Sequence, residues 1–350
     1  MNSGELNLKR VYEVQGRITQ LGYEKTSTKI IPPQSVLIGL AGQGKTRGTA
    51  AINYVELCTN QSIASILPSD KYYPEFLYQN IESRYKELRD ISSGDGGRGG
   101  LNLQMIYNLN IPYCSISEQR KIGDFLCLLD QRIETQRKII EDLKKLKDAI
   151  SKILLSRSDL LEKRVQLLEV GTLKNGYAFQ SSSYDNSGKY EIITIANVTG
   201  ERYICSDGCN HIPAKPSDIQ SHQELKVNDI LISLTGNVGR VSLCKEGKFL
   251  LNQRVGLLEL HAGINREFIY QVASSRKFEQ SMISCSQGAA QMNIGKGDVE
   301  SFVMPYSSNP LNLQRIASIL RSYDELILIE VTRLRLLHSQ KHYLISAMFI

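Results

Sequence analysis

The longest helical pattern in the chain is written twice, and that duplication leaves few architectures open. Leu129, Ile133, Gln136, Ile140, Leu143, Lys147, Ile150 and Leu154 alternate four and three residues apart, the spacing of a coiled-coil seam. Adding 194, the difference between Asp324 and Asp130, gives Tyr323, Ile327, Glu330, Leu334, Leu337, Lys341, Leu344 and Met348 with no gap. Polar residues stand at the same two seam positions in both copies, Gln136 and Glu330, then Lys147 and Lys341. Such residues cost stability and fix register and partner choice. A helix over residues 118 to 155 extends roughly 57 Å at 1.5 Å per residue, more than one compact core uses. Two of them paired along their seams form an antiparallel coiled coil that spaces two other bodies.

The repeat runs past the helices. Glu75-Phe76-Leu77-Tyr78-Gln79 returns as Glu267-Phe268-Ile269-Tyr270-Gln271, and Ser83-Arg84 as Ser275-Arg276. Asn60-Gln61 pairs with Asn252-Gln253, Val36-Leu37-Ile38 with Ile230-Leu231-Ile232, Leu101-Asn102-Leu103 with Met292-Asn293-Ile294, and Ile111-Pro112 with Met304-Pro305. One unit, a globular α+β domain followed by a long helix, is therefore used twice. The expected boundaries are 1–114 and 157–307 for the globular domains, and 115–156 and 308–350 for the spacer helices. Short β-branched runs alternate with turns inside each domain. One amphipathic helix per domain is expected, near residues 74–89 and 266–283, followed by a Gly-rich loop. The copies differ at the front. Ahead of the shared strand, copy two has roughly 65 residues and copy one about 35, counted from the same repeat. Copy one has no match to Leu173-Lys174-Asn175-Gly176-Tyr177-Ala178-Phe179. Either the first domain is a shorter variant or the chain starts inside a full domain.

Composition sets limits. A chain of 350 residues holds two or more domains. The net charge of +6 permits an anionic partner without requiring one. The seven cysteines are scattered. With no signal peptide and no apolar run near 18 residues, the chain reads as cytoplasmic, with reduced thiols and no membrane partner. Cys205, Cys209 and His211 cluster, but no second pair follows at zinc-site spacing, so no metal site is expected.

Gly39-Leu40-Ala41-Gly42-Gln43-Gly44-Lys45-Thr46 fits the P-loop pattern, whose amides cradle phosphate. A helix should then open at Lys45, whereas Arg47-Gly48-Thr49 and the residues after it read as turn and strand. The twin place, Gly236-Asn237-Val238-Gly239-Arg240, lacks the Lys-Ser/Thr pair. A nucleotide-binding protein using Gly44-Lys45-Thr46 is the alternative reading, and a turn displaying Lys45 and Arg47 the plainer one. Lys45, Arg47, Arg98, Arg240 and Arg254 suit phosphates or guanine edges. Gln180, Gln291 and Asn293 suit adenine, and Lys174, Asn175, Tyr177, Ser181 and Lys296 sit in the same polar, Gly-rich stretches. For each, an ordinary solvated loop is the competing reading. No catalytic constellation recurs, and the five histidines fall at unrelated places in the two copies.

In this order the motifs resemble the specificity subunit of type I restriction-modification systems over nearly the whole chain. The resemblance is carried by residues 173–179, Val36-Leu37-Ile38-Gly39, Asn252-Gln253, Gln291-Met292-Asn293-Ile294, Met304-Pro305, and Glu118-Gln119-Arg120-Lys121-Ile122 with Leu129-Asp130. It implies two target-recognition domains, each reading half of a bipartite, asymmetric site in double-stranded DNA. It also implies two spacer helices that dock methyltransferase subunits, two of them, and through these the restriction subunits. The subunit-interface residues would be those of the seams: Leu129, Ile133, Ile140, Leu143, Lys147, Ile150, Tyr323, Ile327, Leu334, Leu337, Lys341 and Leu344. S-adenosylmethionine, ATP and Mg²⁺ would belong to the partners, with no cofactor in this chain. Half-sites read from one face lie roughly 34–36 Å apart. The shortened first domain departs from the pattern, so an inactive or truncated subunit is the further alternative.

Overall fold

The computed structural model describes residues 1–42, 46–92, 99–286 and 292–349. Two compact units emerge: Met1–Lys138 together with Val331–Ile350, and Ile139–Glu330.

The first unit is built on a four-stranded sheet ordered Arg10–Val11, Ala50–Asn53, Val36–Gly39, Ile63–Ile66. Val36–Gly39 runs antiparallel to both neighbours, and Arg10–Val11 adds in parallel. Side chains alternate across a strand. Val36, Ile38, Ala50 and Ile52 accordingly join Leu77, Tyr78, Ile81 and Leu88 on one face. Leu37 and Ala51 join Leu6, Val11, Leu57 and Ile63 on the other. Both central strands are buried throughout, which is why they read as unbroken apolar runs. The helix Pro74–Ser83 lies on the first of these faces, with Phe76, Tyr78 and Ile81 almost fully buried.

The second unit repeats this plan and extends it. Its main sheet is antiparallel and ordered Val241–Leu243, Ile230–Ser233, Val255–Leu260, Gly171–Asn175. Tyr203 bridges Leu243 in parallel, as Arg10–Val11 does on Ala50–Asn53. A three-stranded sheet of Asn210–Ile212, Tyr190–Ile193 and Phe249–Leu251, and the pair Lys163–Gln166 with Val303–Tyr306, complete it. The core of Ile230, Ile232, Leu258, Phe268 and Phe278 sits under the helices.

The single amphipathic helix expected per domain is two helices in each. Pro74–Ser83 stops at Arg84 before Tyr85–Ile91, and Arg266–Ala273 stops before Arg276–Cys285. In the second unit Ser275 takes an extended conformation and its hydroxyl accepts from the Phe278 N–H, which starts a new helix where the apolar period alone continues.

The long helices are Ile116–Leu155 and Pro310–Met348, of 40 and 39 residues. In the first unit Asp130 meets Lys341 and Arg137 meets His338, so one number rises as the other falls and the helices pair antiparallel. In the second unit Lys147 meets Asp324. Among the seam residues, Leu129 and Ile133 pack with Leu334, Leu337 and Leu344. Ile140 and Ile327 are buried, Ile150 lies against the second core, and Leu143 and Tyr323 are half-buried. Gly123 admits no side chain, since a Cβ there would stand 2.8 Å from the Phe76 nitrogen. No helix among the described residues is long and apolar enough to cross a membrane.

Candidate nucleic-acid interface

The globular part of each unit is fastened to the helices by the same four side chains. In the first, Asp130 accepts from Lys341 Nζ at 2.6 Å, Gln79 Nε2 at 2.7 Å and Arg10 at 3.1 Å. Arg10 also pairs closely with Glu75. In the second, Asp324 accepts from Lys147 Nζ at 2.6 Å, Gln271 Nε2 at 2.7 Å and Arg202 at 3.2 Å, and Arg202 grips Glu267 through both guanidinium nitrogens. Burial works to raise the Asp130 carboxyl, but Lys341, Gln79 and Arg10 together hold it below the ordinary carboxylate range. Glu267 is also held low: burial opposes, and Arg202 and Gln271 prevail. Lys147 and Lys341 belong to the predicted seams. Asp130, Asp324, Gln79, Gln271, Arg10 and Arg202 had no role assigned to them. Their signal was present, because Gln79 and Gln271, and Arg10 and Arg202, each differ by 192.

Backbone bonds gather five of the second-unit candidates at one margin. Tyr177 N–H donates to Leu251 O and Gln253 N–H to Tyr177 O. Leu234 N–H donates to Arg254 O, Ile294 N–H to Leu234 O, and Gly236 N–H to Met292 O. Tyr177 bridges Asn252, and Thr235 bridges Asn293. Asn175 leads into this margin from the end of its strand, where its carbonyl meets His222 Nε2 at 3.1 Å. Arg240 closes the turn that begins at Leu234, its carbonyl accepting from Ser233 N–H. Gln180 and Ser181 are exposed at the start of a 3₁₀ turn, Ser181–Ser183. Lys296 opens the short helix Lys296–Glu300.

The charges at this margin differ in availability. Lys174 pairs with Glu259 at 3.4 Å, Arg240 with Glu279 at 3.9 Å and Lys296 with Glu300 at 3.6 Å. The Lys174 and Arg240 pairs are exposed on both sides, and such pairs contribute little and exchange easily, whereas Glu300 is buried. The Arg254 guanidinium is exposed and meets no carboxylate among the described residues. Tyr177 donates its hydroxyl to Asp218 at 2.8 Å, which raises its pKa, and its ring lies 4.9 Å from that of Phe179. Asp218 and Phe179 were not among the predicted residues.

In the first unit Arg47 is described, its guanidinium held close to the Gly99 carbonyl. Lys45, Arg98 and Gln291 lie outside the described residues. The P-loop reading fails on topology. Val36–Gly39 and Ala50–Asn53 are antiparallel neighbours, so residues 40–49 connect a hairpin. Residues 47–48 form a turn and a strand follows, whereas a P-loop needs a helix there for its amides to converge on phosphate. Among the described residues no group of three His, Cys, Asp or Glu side chains lies close enough to hold a metal ion.

A duplicated α+β domain, fastened twice to a long pairing helix and showing amide, aromatic and basic side chains at a loop margin, defines a two-domain recognition protein. The chain matches the type I restriction modification DNA specificity domain over residues 2–145 and 162–338, and it belongs to that family. The family's part is recognition rather than catalysis. A similar curated relative is the type I restriction enzyme MjaIX specificity subunit of Methanocaldococcus jannaschii, 31% identical over 144 residues. That alignment covers 40% of this chain and 32% of the relative, so it spans about a third of that protein. The S subunit of a type I restriction-modification system from M. genitalium shares the fold with a TM-score of 0.58 at 17% identity, over 91% of this chain and 84% of that one. A chain from a type I R-M system solved for its complex assembly and conformational transition gives a TM-score of 0.56 at 15% identity, over 99% of this chain and 90% of that one.

Proposed function

We propose that the chain reads DNA sequence for a type I restriction-modification complex without catalysing a reaction itself. Residues 1–114 and 157–307 act as target-recognition domains, each reading one half of a bipartite, asymmetric site in double-stranded DNA. Residues 115–156 and 308–350 fix the gap between the halves and dock two methyltransferase subunits, and through them the restriction subunits. S-adenosylmethionine, ATP and Mg²⁺ are carried by those partners, and the complex works in the cytoplasm. The margin formed by Asn175, Tyr177, Arg240, Arg254 and Asn293 is the reading surface of the second domain, with Lys174, Gln180, Ser181 and Lys296 beside it. Lys45, Arg47, Arg98 and Gln291 are the remaining DNA contacts.

The observation that carries this reading is the repeated Asp-Lys-Arg-Gln fastening. It is an expensive way to build two rigid mounts unless each domain must be held in register with a helix. Charges at the margin give salt-dependent affinity, and the Asn, Gln and Arg side chains supply base discrimination. Methylation mapping of DNA from cells carrying the chain with its methyltransferase tests the proposal. A split motif with a fixed gap is expected. An unbroken motif overturns it.

A further inference from the structure

We propose that the outer edge of Ile63–Ile66 in the first unit accepts an extended segment of a second polypeptide as an added strand. The two units share their sheet plan but end it differently. In the second, Val255–Leu260 is covered by Gly171–Asn175, with Leu257 opposite Lys174. In the first, Ile63–Ile66 pairs with Val36–Gly39 alone, and no described strand lies on its other side.

The backbone shows which groups are left over. Leu40 N–H donates to Ser62 O, so along this antiparallel pair Ala64 and Ile66 bond inward and Ser65 turns its N–H and C=O outward. Ser65 stands 192 positions before Leu257, the residue that faces the covering strand in the second unit. An unpaired edge of this kind is a template for strand addition.

The apolar residues beside the edge are also under-covered. In the second unit the stretch from Leu161 to Leu173 buries Val299, Phe302 and Met304 to 0%, 8% and 0% exposure. Their partners 193 positions earlier, Ile106, Leu109 and Ile111, are only partly buried. Glu300 accepts the Leu173 N–H at 2.8 Å, whereas Tyr107, 193 positions before it, is 77% exposed, with Leu103 at 53% and Tyr113 at 76%. The occupant is thus a strand followed or preceded by apolar residues, patterned like residues 161–175. It is not a copy of them. Leu173 packs over Gly256, where a Cβ would come within 2.8 Å of it. Ala64 holds the matching place, so the occupant carries a residue smaller than Leu there.

A labelled synthetic peptide of residues 161–177 with Leu173→Ala, added to the full chain, tests this. Saturable binding and slowed amide exchange at Ser65 are expected. Ser65→Pro removes the outward donor without breaking the ladder to Val36–Gly39, and should weaken binding at least about tenfold with the melting temperature nearly unchanged. Independently of whether that variant folds, the same peptide N-methylated at Lys174 should fail to bind the unaltered chain. Full binding by the methylated peptide, no binding by the parent peptide, or slowed Ser65 exchange in the peptide-free chain through self-association would each overturn the proposal.

Discussion

Lys341 Nζ lies 2.6 Å from Asp130 Oδ1, with side-chain exposures of 11% and 17%. The pair joins the start of one long helix to the end of the other inside the first unit, and Asp130 is shared with Arg10 and Gln79. Removing one member of such a pair strands a charge away from water. Lys341→Met should cost roughly 3 kcal/mol, and Asp130→Leu with Lys341→Met together should recover much of it. A double-mutant cycle in denaturant measures the coupling. A double-variant loss equal to the sum of the two single losses would mean that the pair is no better than solvated.

Acid should loosen the first unit before the carboxylates titrate. His338 Nε2 lies 3.1 Å from Arg137. Burial, and then the positive charges of Arg137 and Lys341, lower its pKa from the ordinary 6.5. A base with a lowered folded pKa contributes stability above its unfolded value and loses it as pH falls toward the folded one. Melting temperature should therefore begin to fall below about pH 6.5. A second fall should follow below about pH 4.5, where Glu82 and Asp130, both held low, take up protons. His338→Gln should abolish the first fall and leave the second. A curve unchanged by that variant would assign the early loss to another group.

What the sequence revealed tracks what periodicity encodes. The seams and the strand Val36–Gly39 were legible because burial on a helix stripe or on both sheet faces imposes a period. The break at Ser274–Ser275 was not, because a cap is one hydroxyl inside an unbroken apolar period. The fastening residues were hidden for a different reason. Asp130 and Gln79 have no visible partner in the sequence until a third element, the end of the other long helix, brings Lys341 to Asp130. Of the DNA candidates, sequence supplied Tyr177, Arg254 and Asn293 without their neighbourhood. Only the hydrogen bonds through Leu251, Leu234 and Ile294 put them on one margin.

Asn80 is an exception within its own repeat. It is 1% exposed, and neither amide atom has a partner among the described residues. Val272, 192 positions on, is buried in the second core. An unpartnered buried amide costs about 1–3 kcal/mol. Asn80→Val should stabilise the chain and raise the melting temperature by roughly 2–4 °C. A lowered melting temperature would show that the amide is partnered in solution.

Arg254 and Lys174 separate a reading cation from a bystander. Both lie near the margin, but Lys174 leans on Glu259 while Arg254 has no carboxylate to leave among the described residues. Arg254→Ala in the assembled methyltransferase complex should therefore weaken binding to the mapped site by roughly 5- to 150-fold, the range of one lost bidentate base contact. Lys174→Ala should change it by less than about threefold, as expected of an exposed pair. Anisotropy titrations at two salt concentrations on specific and scrambled duplexes distinguish the roles. A loss confined to the specific duplex marks a base contact. A uniform loss with a salt slope smaller by about one marks a phosphate contact. No loss on either duplex would remove Arg254 from the interface.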